Sequence, residues 1–316
     1  MTRSSLERLL PADMEAVRLL ETLEELGYDF TPVTPATHGR VIARPTMCEA
    51  SELRGVFGWN LPFDAELLPP PLLDLMARAG FVEKARNGFK STVRVSRVRG
   101  RLFLHSAFPT IADDSVFLGP DTVRFADFIS ANLADDALGR LVDIGAGAGV
   151  GGIIAGRIAR RLEIELVDIN GKALRYAKIN AAHAGIPIQA YRSDGVGSVS
   201  PGFDIAIANP PFIAGVGDPL YRSGRGMHGA ELSLRWTLDA ACKLAPGGRI
   251  LLYTGSAIIR GRDCLREALE QALPPLGCTM HYREIDPDIF GDELGRDVYR
   301  EVERIAAVVA VCTRTK

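Results

Sequence analysis

The residues with the clearest chemical purpose are Asn209, Pro210, Pro211 and Phe212, which follow the apolar run 203–208. The two prolines fix the backbone and remove two N–H donors, so the nearby carbonyl groups stay free to accept hydrogen bonds. The Asn209 side-chain oxygen is a further acceptor, and the Phe212 ring supplies a flat face. Together these groups can hold a planar NH2 group and leave its nitrogen lone pair free to attack an electrophile. Such a site needs neither a metal nor a strong base.

A second set of residues forms a glycine-rich turn after the apolar strand 141–144. The turn contains Gly145, Gly147 and Gly149 at alternating positions, and a helix follows it. Glycines allow a sharp turn and a close approach of a ligand, while the helix start offers unpaired N–H groups. This geometry suits a nucleotide-like cofactor. Dinucleotide cofactors use a similar pattern, so the turn alone leaves the cofactor open.

Two aspartates follow the next two predicted strands. Asp168 lies 23 residues after Gly145, at the tip of the second strand, where a carboxylate can accept both hydrogens of a ribose diol. Its alternative role is to cap the following helix, a role that Asn170 could also take. Asp194 follows the third strand and could accept a hydrogen bond from an adenine amino group, or could simply stabilise a turn.

These motifs resemble those of class I S-adenosylmethionine-dependent methyltransferases that act on amino nitrogens. That group includes HemK-like glutamine methyltransferases and the adenine-N6 and guanine-N2 methyltransferases. The resemblance covers about residues 115–316, and the Asn209–Phe212 motif is its most specific element. It implies S-adenosylmethionine as the cofactor, with contacts from Asp143, Gly145, Ala146, Gly147, Gly149, Asp168, Ile169, Asp194 and Asn209.

The resemblance also implies roles on the acceptor side of the site. Asn209 and the Pro210 carbonyl would bind the nitrogen that is methylated, as the catalytic pair. Pro211 and Phe212 would contact the plane of the substrate. Asp121 and Thr122 lie in a stretch similar to the one before the core of this family, and they would close over the substrate and cofactor.

The acceptor that the sequence favours is the exocyclic amine of an RNA base. Glutamine-modifying members usually carry Tyr after the two prolines, whereas this chain has Phe212. A HemK-like protein glutamine N5-methyltransferase is the alternative, so the partner is RNA or a protein substrate. An NAD-type oxidoreductase would share the glycine turn, and a non-catalytic cofactor-binding or RNA-binding scaffold is the third interpretation. Neither gives a reason for the Asn209–Phe212 motif.

The elements that must position these residues alternate strand and helix from about residue 121, which predicts an α/β fold. The expected architecture is a Rossmann-like seven-stranded sheet, mostly parallel with an antiparallel closing strand. Asp121 is predicted to cap a helix. The glycine-rich segment 214–229 follows the catalytic motif and is predicted to gate the substrate. Trp236 is predicted to pack in the interior.

The first 110 residues are predicted to form a separate substrate-recognition domain of α+β type, followed by a methyltransferase domain over 111–316. Residues 28–45 are predicted to be a loop, and 89–98 and 101–106 to be two strands. From Arg78 to Arg101 there are eight basic residues and one acidic residue. In outline this segment resembles a winged-helix module that could bind RNA. The alternative is a solvated strand face whose arginines serve solubility.

Composition excludes several classes of protein. A charged fraction of 24% and a hydrophobic fraction of 47% are ordinary for a globular chain, and the net charge of −2 excludes a globally basic protein. No run of about 18 apolar residues occurs, so no membrane span is expected. The five scattered cysteines predict reduced thiols, no metal site and a cytoplasmic location.

Overall fold

The computed structural model describes residues 9–214 and 221–315 of the chain. Residues before 110 form a small α+β part, in which β1 pairs antiparallel with β2 and β3 with β4. Its elements are α1 (Pro11–Glu25), α2 (Pro35–Ile42), α3 (Pro70–Ala79), β1 (Val82–Lys84), β2 (Phe89–Ser91), β3 (Val93–Val98) and β4 (Arg101–Ser106). A π-helical turn at Arg54–Gly58 packs against β3.

The rest of the chain alternates strands and helices. The elements are α4 (Pro120–Asn132), β5 (Leu138–Ile144), α5 (Val150–Ile158), β6 (Arg161–Asp168), α6 (Gly171–Ala184), β7 (Gln189–Arg192), β8 (Phe203–Ala208), α7 (Glu231–Lys243), β9 (Leu244–Ile259), β10 (Arg262–Asp263), α8 (Cys264–Ala272), β11 (Cys278–Asp286) and β12 (Arg304–Arg314). No helix in the described ranges combines the length and the apolar character needed to cross a membrane.

The main sheet has its strands in the order β11–β12–β9–β8–β5–β6–β7, with β10 paired to the end of β9. Strands β7, β6, β5, β8 and β9 run parallel, and β12 is antiparallel to both of its neighbours. The predicted seven-stranded, mostly parallel sheet with an antiparallel closing strand is therefore confirmed. Parallel strands place their carboxyl ends along one edge, and β5, β6 and β8 lead directly into the predicted site residues.

Side chains on opposite faces of the sheet enter two separate cores, as strand alternation requires. Leu141 of β5 joins the core that contains α4, α5 and α6, whereas Val142 joins the core that contains α7 and α8. The N-terminal part covers the first of these layers, because α1 and β4 both pack on α6. The boundary near residue 110 thus remains a prediction about domain organisation, since one core continues across it.

Three local predictions were wrong. Residues 28–45 are not all loop, because Thr34 caps α2 and accepts the N–H of Thr37 at 3.1 Å. The strand predicted over 89–98 is interrupted at Thr92, whose N–H bonds to the Phe81 carbonyl at 3.1 Å outside the ladder. Asp121 does not cap α4: Gly119 occupies that position, and Asp121 lies within the first turn.

The predicted exposed basic hairpin is also wrong, since β3 and β4 are almost entirely buried. Arg94 is only 3% exposed and donates to the Ser106 carbonyl at 3.0 Å. Arg97 binds Glu24 and Asp29, at 2.8 and 3.1 Å. These arginines are therefore part of the folded structure of the N-terminal part, whereas a wing would present them to solvent. The predicted RNA contact through 78–101 stays untested for its exposed members Arg78, Lys84, Arg86 and Arg99.

A buried amide on α6 joins the N-terminal part to the glycine turn. Asn180 accepts the N–H of Leu104 at 2.8 Å and donates to the Leu104 carbonyl at 3.0 Å. It also donates to the Ala148 carbonyl, at 2.9 Å. The side chain is fully buried, so all of these hydrogen bonds are shielded from water. The β4 strand and the glycine turn are consequently held by one side chain.

Candidate active site

A cavity of about 810 Å³ opens at the carboxyl ends of β5, β6 and β8. Its walls include most of the residues predicted for the site. They are Asp121, Thr122, Asp143, Gly145, Ala146, Gly147, Asp168, Ile169, Asp194, Asn209, Pro210, Pro211 and Phe212. Gly149 is the predicted residue that does not line it. Most of these residues converge because they lie at the carboxyl ends of parallel strands of one sheet, whereas Asp121 and Thr122 reach the cavity from the start of α4.

The glycine turn (Gly145–Gly149) takes the left-handed backbone that its composition permits. Gly145, Gly147 and Gly149 have φ of +70°, +54° and +79°. The N–H groups of Gly145 and Ala146 both bond to the Val167 carbonyl, at 2.8 and 3.0 Å, which fixes the turn against β6. A Cβ on Gly147 would meet nothing within 4 Å, so this residue faces open cavity and allows a ligand close to the backbone.

Gly149 has a packing role, which explains its absence from the cavity wall. It is the N-cap residue of α5, and a Cβ there would lie 3.0 Å from the Cβ of Ala177 on α6. The close approach of α5 to α6, together with the φ of +79°, favours a residue without a side chain. The sequence pattern of three alternating glycines could not separate this requirement from a ligand contact.

Asp168 is oriented by the glycine turn itself. Its Oδ2 accepts the Gly147 N–H and its Oδ1 accepts the Asn170 N–H, both at 2.8 Å. Burial raises the pKa of the Asp168 carboxyl, and these two N–H groups oppose the shift. The cap of α6 is Asn170, whose side chain accepts from Lys172 and Ala173. Asp168 is thus not needed as the cap, and its remaining lone pairs face the cavity, as a ribose contact would require.

Asp143 lies deeper, beneath the glycine turn. It is 2% exposed, and its Oδ2 accepts the N–H of Gly152 in the first turn of α5 at 2.8 Å. Burial raises the pKa of Asp143 to about 7, the Gly152 N–H lowers it, and the Asp168 carboxylate raises it further. The carboxyl group therefore secures the start of α5, and it is protonated mainly below pH 7.

The predicted adenine end of the cavity contains a residue that sequence analysis assigned to packing alone. The Trp236 ring lies beneath Gly145 and Gly195, where an added Cβ would come within 2.6 and 3.1 Å of the ring. Trp236 lines the cavity. Ile169, which is 44% exposed, also lines it. Asp194 binds Arg235 at 2.6 Å. The helical position of Trp236 gave no signal of this, since it follows the ordinary spacing of core residues.

The acceptor motif (Asn209–Phe212) leaves β8 at the other end of the cavity. Asn209 is half-buried, and within the described ranges its amide has no hydrogen-bond partner in the protein. Phe212 is 9% exposed and packs edge-on against Phe290, with ring centroids 5.6 Å apart. Two residues after the motif, the Ala214 N–H donates to the Tyr299 Oη at 2.6 Å, and this hydrogen bond fixes the chain there. A free amide beside a fixed aromatic wall can hold a planar amine.

Asp121 and Thr122 lie at the N-terminus of α4. The buried Asp121 carboxylate accepts the Tyr253 hydroxyl at 2.6 Å and pairs with Arg124 at 3.3 Å. Burial raises the pKa of Asp121, while the Tyr253 hydroxyl and Arg124 oppose the shift. Thr122 accepts the Gly119 N–H at 3.4 Å. Both residues therefore shape the helix start that faces the cavity.

Two walls of the cavity come from segments that carried no recognisable motif. Residues 34–36, at the start of α2, line it from the N-terminal part, and residues 288–293 line it from the connection between β11 and β12. The predicted gating segment contributes Tyr221, Arg222, Ser223 and Arg225. Its residues 215–220 lie outside the described ranges. The contact of Tyr221 with the Thr110 carbonyl, at 3.0 Å, ties this segment to the end of the N-terminal part.

A comparison with known protein families matches one region of the chain that contains the main sheet. Residues 116–256 match the family model described as methyltransferase small domain. This span contains the glycine turn, Asp168, Asp194 and the acceptor motif. A solved structure of Trm5 from Methanocaldococcus jannaschii in complex with adenosine has a TM-score of 0.50 and 16% identity, and the match covers 73% of this chain and 60% of that one. This similarity is one of fold.

Curated relatives match over a shorter stretch. A ribosomal RNA small subunit methyltransferase C from Hahella chejuensis is 35% identical over 113 residues, which are 36% of this chain and 30% of that protein. The protein of the same description from Shewanella loihica is 33% identical over 110 residues, which are 35% and 29% of the two chains. The match thus spans less than a third of the length of these relatives.

Proposed function

We propose that this chain, whose residues 116–256 match the family model of the methyltransferase small domain, is an S-adenosylmethionine-dependent methyltransferase that methylates the exocyclic amine of a base in small-subunit ribosomal RNA. The main support for an amine as the acceptor is the Asn209 amide beside Pro210. Among the described residues this amide has no hydrogen-bond partner, and it lines the same cavity as the glycine turn. An oxidoreductase or a non-catalytic scaffold has no use for this arrangement.

The residues present fit the cofactor. The open face of Gly147 admits a ligand to the backbone, the oriented Asp168 carboxylate suits a ribose diol, and the cavity is large enough for both a nucleoside cofactor and a base. When bound, S-adenosylmethionine supplies an electrophilic methyl group on a positively charged sulfur.

The acceptor motif then prepares the nucleophile. The Asn209 Oδ1 and the Pro210 carbonyl would accept hydrogen bonds from the two N–H groups of the amine. These hydrogen bonds would direct the nitrogen lone pair away from the ring and towards the methyl group. Phe212, held by Phe290, limits the tilt of the base. S-adenosylmethionine held by Asp168 and the glycine turn would supply the methyl group to this nitrogen, and one amine proton would then pass to water. Catalysis rests mainly on positioning, and no strong base is required.

Two observations support ribosomal RNA as the acceptor. The relatives from Hahella chejuensis and Shewanella loihica are described as ribosomal RNA small subunit methyltransferases, and they are 35% and 33% identical over 113 and 110 residues of this chain. The residue after the two prolines is Phe212, which is frequent among enzymes that act on nucleic-acid bases.

The test is methyl transfer by the whole protein. We expect incorporation from labelled S-adenosylmethionine into small ribosomal subunits, or their naked RNA, purified from cells that lack the protein. Mass spectrometry of the nucleosides would distinguish N2-methylguanosine, N6-methyladenosine and N4-methylcytidine. Incorporation into protein glutamine, with none into RNA, would refute the proposal and favour the HemK-like alternative.

A further inference from the structure

The three arginines that line the cavity differ in their pairing. Arg124 binds Asp121, and Arg222 binds Glu293. Arg225 is exposed, and in the part of the chain that the structure describes its guanidinium has neither an ion-pair nor a hydrogen-bond partner. The acceptor end of the cavity therefore has one cationic group that is free to bind an anion.

The backbone around Arg225 is strained. Arg225, Met227 and His228 have φ of +66°, +53° and +52°, in the left-handed region that residues with a Cβ rarely adopt. The surroundings hold this conformation, because the Gly226 N–H donates to the Glu231 carboxylate at 2.8 Å. Such conformations persist where neighbours impose them, and they concentrate at ligand clamps.

The strained segment is also fixed against the acceptor motif. The Gly224 N–H donates to the Ile213 carbonyl at 2.8 Å, and the Ile213 N–H donates to the Arg222 carbonyl at 3.0 Å. A Cβ on Gly229 would lie 2.1 Å from the Phe212 carbonyl oxygen. The segment 221–229 thus packs on the motif without intervening side chains, and Arg225 has a set position relative to the amine site.

We propose that Arg225 binds a backbone phosphate of the RNA whose base enters the acceptor motif, an inference that rests on the function proposed above. The planar guanidinium matches phosphate geometry and can form two parallel hydrogen bonds to a phosphate group. The segment 288–293 carries the exposed carboxylates Asp288 and Asp292 on the cavity wall. These repel phosphates, so the RNA strand runs past the Arg225 side of the opening.

The experiment compares Arg225→Ala with the wild type on two acceptors, small-subunit ribosomal RNA and the free nucleosides guanosine, adenosine and cytidine. For RNA we expect the KM to rise about tenfold, as loss of a charge-assisted hydrogen bond predicts. The slope of log KM against log salt concentration should fall by roughly 0.7. Nucleosides have no phosphate, so their kcat/KM should not change.

Two further variants separate the phosphate contact from a structural effect. Arg260→Ala is the matched control, because Arg260 is exposed and left-handed, with φ of +50°, but does not line the cavity. It should behave as the wild type. Arg225→Lys keeps the charge, so it should retain the salt slope of the wild type while losing part of the affinity.

The outcomes are distinct. The inference is overturned if Arg225→Ala matches Arg260→Ala on RNA, or if it lowers activity equally on RNA and on nucleosides. If the wild type methylates no RNA at all, the proposed function fails and the phosphate contact fails with it. The wild-type measurement therefore separates the two failures.

Discussion

At the scale of single residues, the acceptor motif depends on an amide that the protein leaves unbound. Asn209 is half-buried, and among the described residues its amide has no partner in the protein, so the amide is available to a substrate. Proline at 210 and 211 keeps the backbone from offering N–H groups as substitutes. The geometry is thus specific for a donor such as NH2.

Asn209→Ala should lower kcat by about 10²–10³-fold, since an acceptor that acts on the reacting amine is lost. The affinity for S-adenosylmethionine should change by less than about threefold, because Asp168 and the glycine turn remain. Calorimetry and initial rates on ribosomal RNA measure the two quantities. A kcat near that of the wild type would rule out the assigned role of Asn209.

Asp143→Asn should change how stability depends on pH. The pKa of Asp143 is about 7 in the folded protein and about 3.9 when unfolded, so the unfolded chain releases the proton first. The wild type therefore loses stability as pH rises from about 4 to 7, and the loss is complete above 7. The neutral Asn variant lacks this loss but can still accept the Gly152 N–H.

Urea unfolding at pH 5 and pH 8 tests this difference. The free energy of unfolding of the variant, relative to the wild type, should increase between the two values. A constant difference would show that the Asp143 carboxyl ionises normally.

Residue types and order were sufficient to predict most of the residues that line the cavity on the strand side, whose roles stay predictions. Asp168, Asp194 and Asn209 each follow a parallel strand, so their convergence depends only on the sheet. Trp236 and Gly149 could not be assigned in this way. Their roles depend on which surface of a helix faces the cavity, and that is decided by packing between α5, α6 and α7.

At the scale of elements, the connection between β11 and β12 stabilises the acceptor motif from behind. It contributes the buried Tyr299, which accepts the Ala214 N–H, and Phe290, which contacts Phe212. Phe290 is itself left-handed, with φ of +58°. The irregular connection thus acts as a support for the motif.

Tyr299→Phe should lower kcat by roughly tenfold with little change in cofactor affinity, because the Ala214 N–H loses its acceptor and the motif shifts. Tyr282→Phe is the control: it removes a tyrosine hydroxyl that bonds to Asp263 at 2.7 Å, at the edge of the sheet. Initial rates and calorimetry on both variants provide the comparison. Equal effects of the two substitutions would argue against a positioning role for Tyr299.

Strands that lie inside the sheet were easier to predict than the surrounding elements. The prediction for β8 coincides with the structure, because it is a short apolar run bounded by turn residues. The α2 helix was missed because its prolines suggested a loop, although Pro35 stands at the first helical position, where it is favourable. The walls at 34–36 and 288–293 depend on tertiary packing, which local sequence does not encode.

At the scale of the whole molecule, the N-terminal part is packed onto α6 of the part of the chain that carries the main sheet. Its β3–β4 hairpin is buried, and its arginines serve internal contacts. Counting charges along the sequence could not reveal this, because a basic residue paired with a distant carboxylate counts the same as a free one. Glu24 and Asp29, which pair with Arg97, lie some seventy residues earlier.

Arg97→Ser should therefore lower stability and leave RNA binding intact. It removes hydrogen bonds to Glu24, Asp29 and the Tyr28 carbonyl, and we expect a loss of about 1–2 kcal/mol in the free energy of unfolding. Arg86→Ser, at an exposed position, should leave stability unchanged. Urea unfolding and the salt dependence of RNA binding test both variants. If Arg97→Ser reduced the salt dependence of RNA binding, Arg97 would contact RNA, and the prediction of an RNA-binding winged-helix module would be supported.

Asn180 couples the local unfolding of β4 to that of the glycine turn. Since one buried amide binds both Leu104 and Ala148, an opening that displaces the Asn180 side chain frees β4 and the glycine turn together. Amide hydrogens protected in the two segments should exchange with solvent together, with one opening free energy, as a single cooperative unit. A cofactor that binds the turn would then slow exchange in β4, far from any atom it touches.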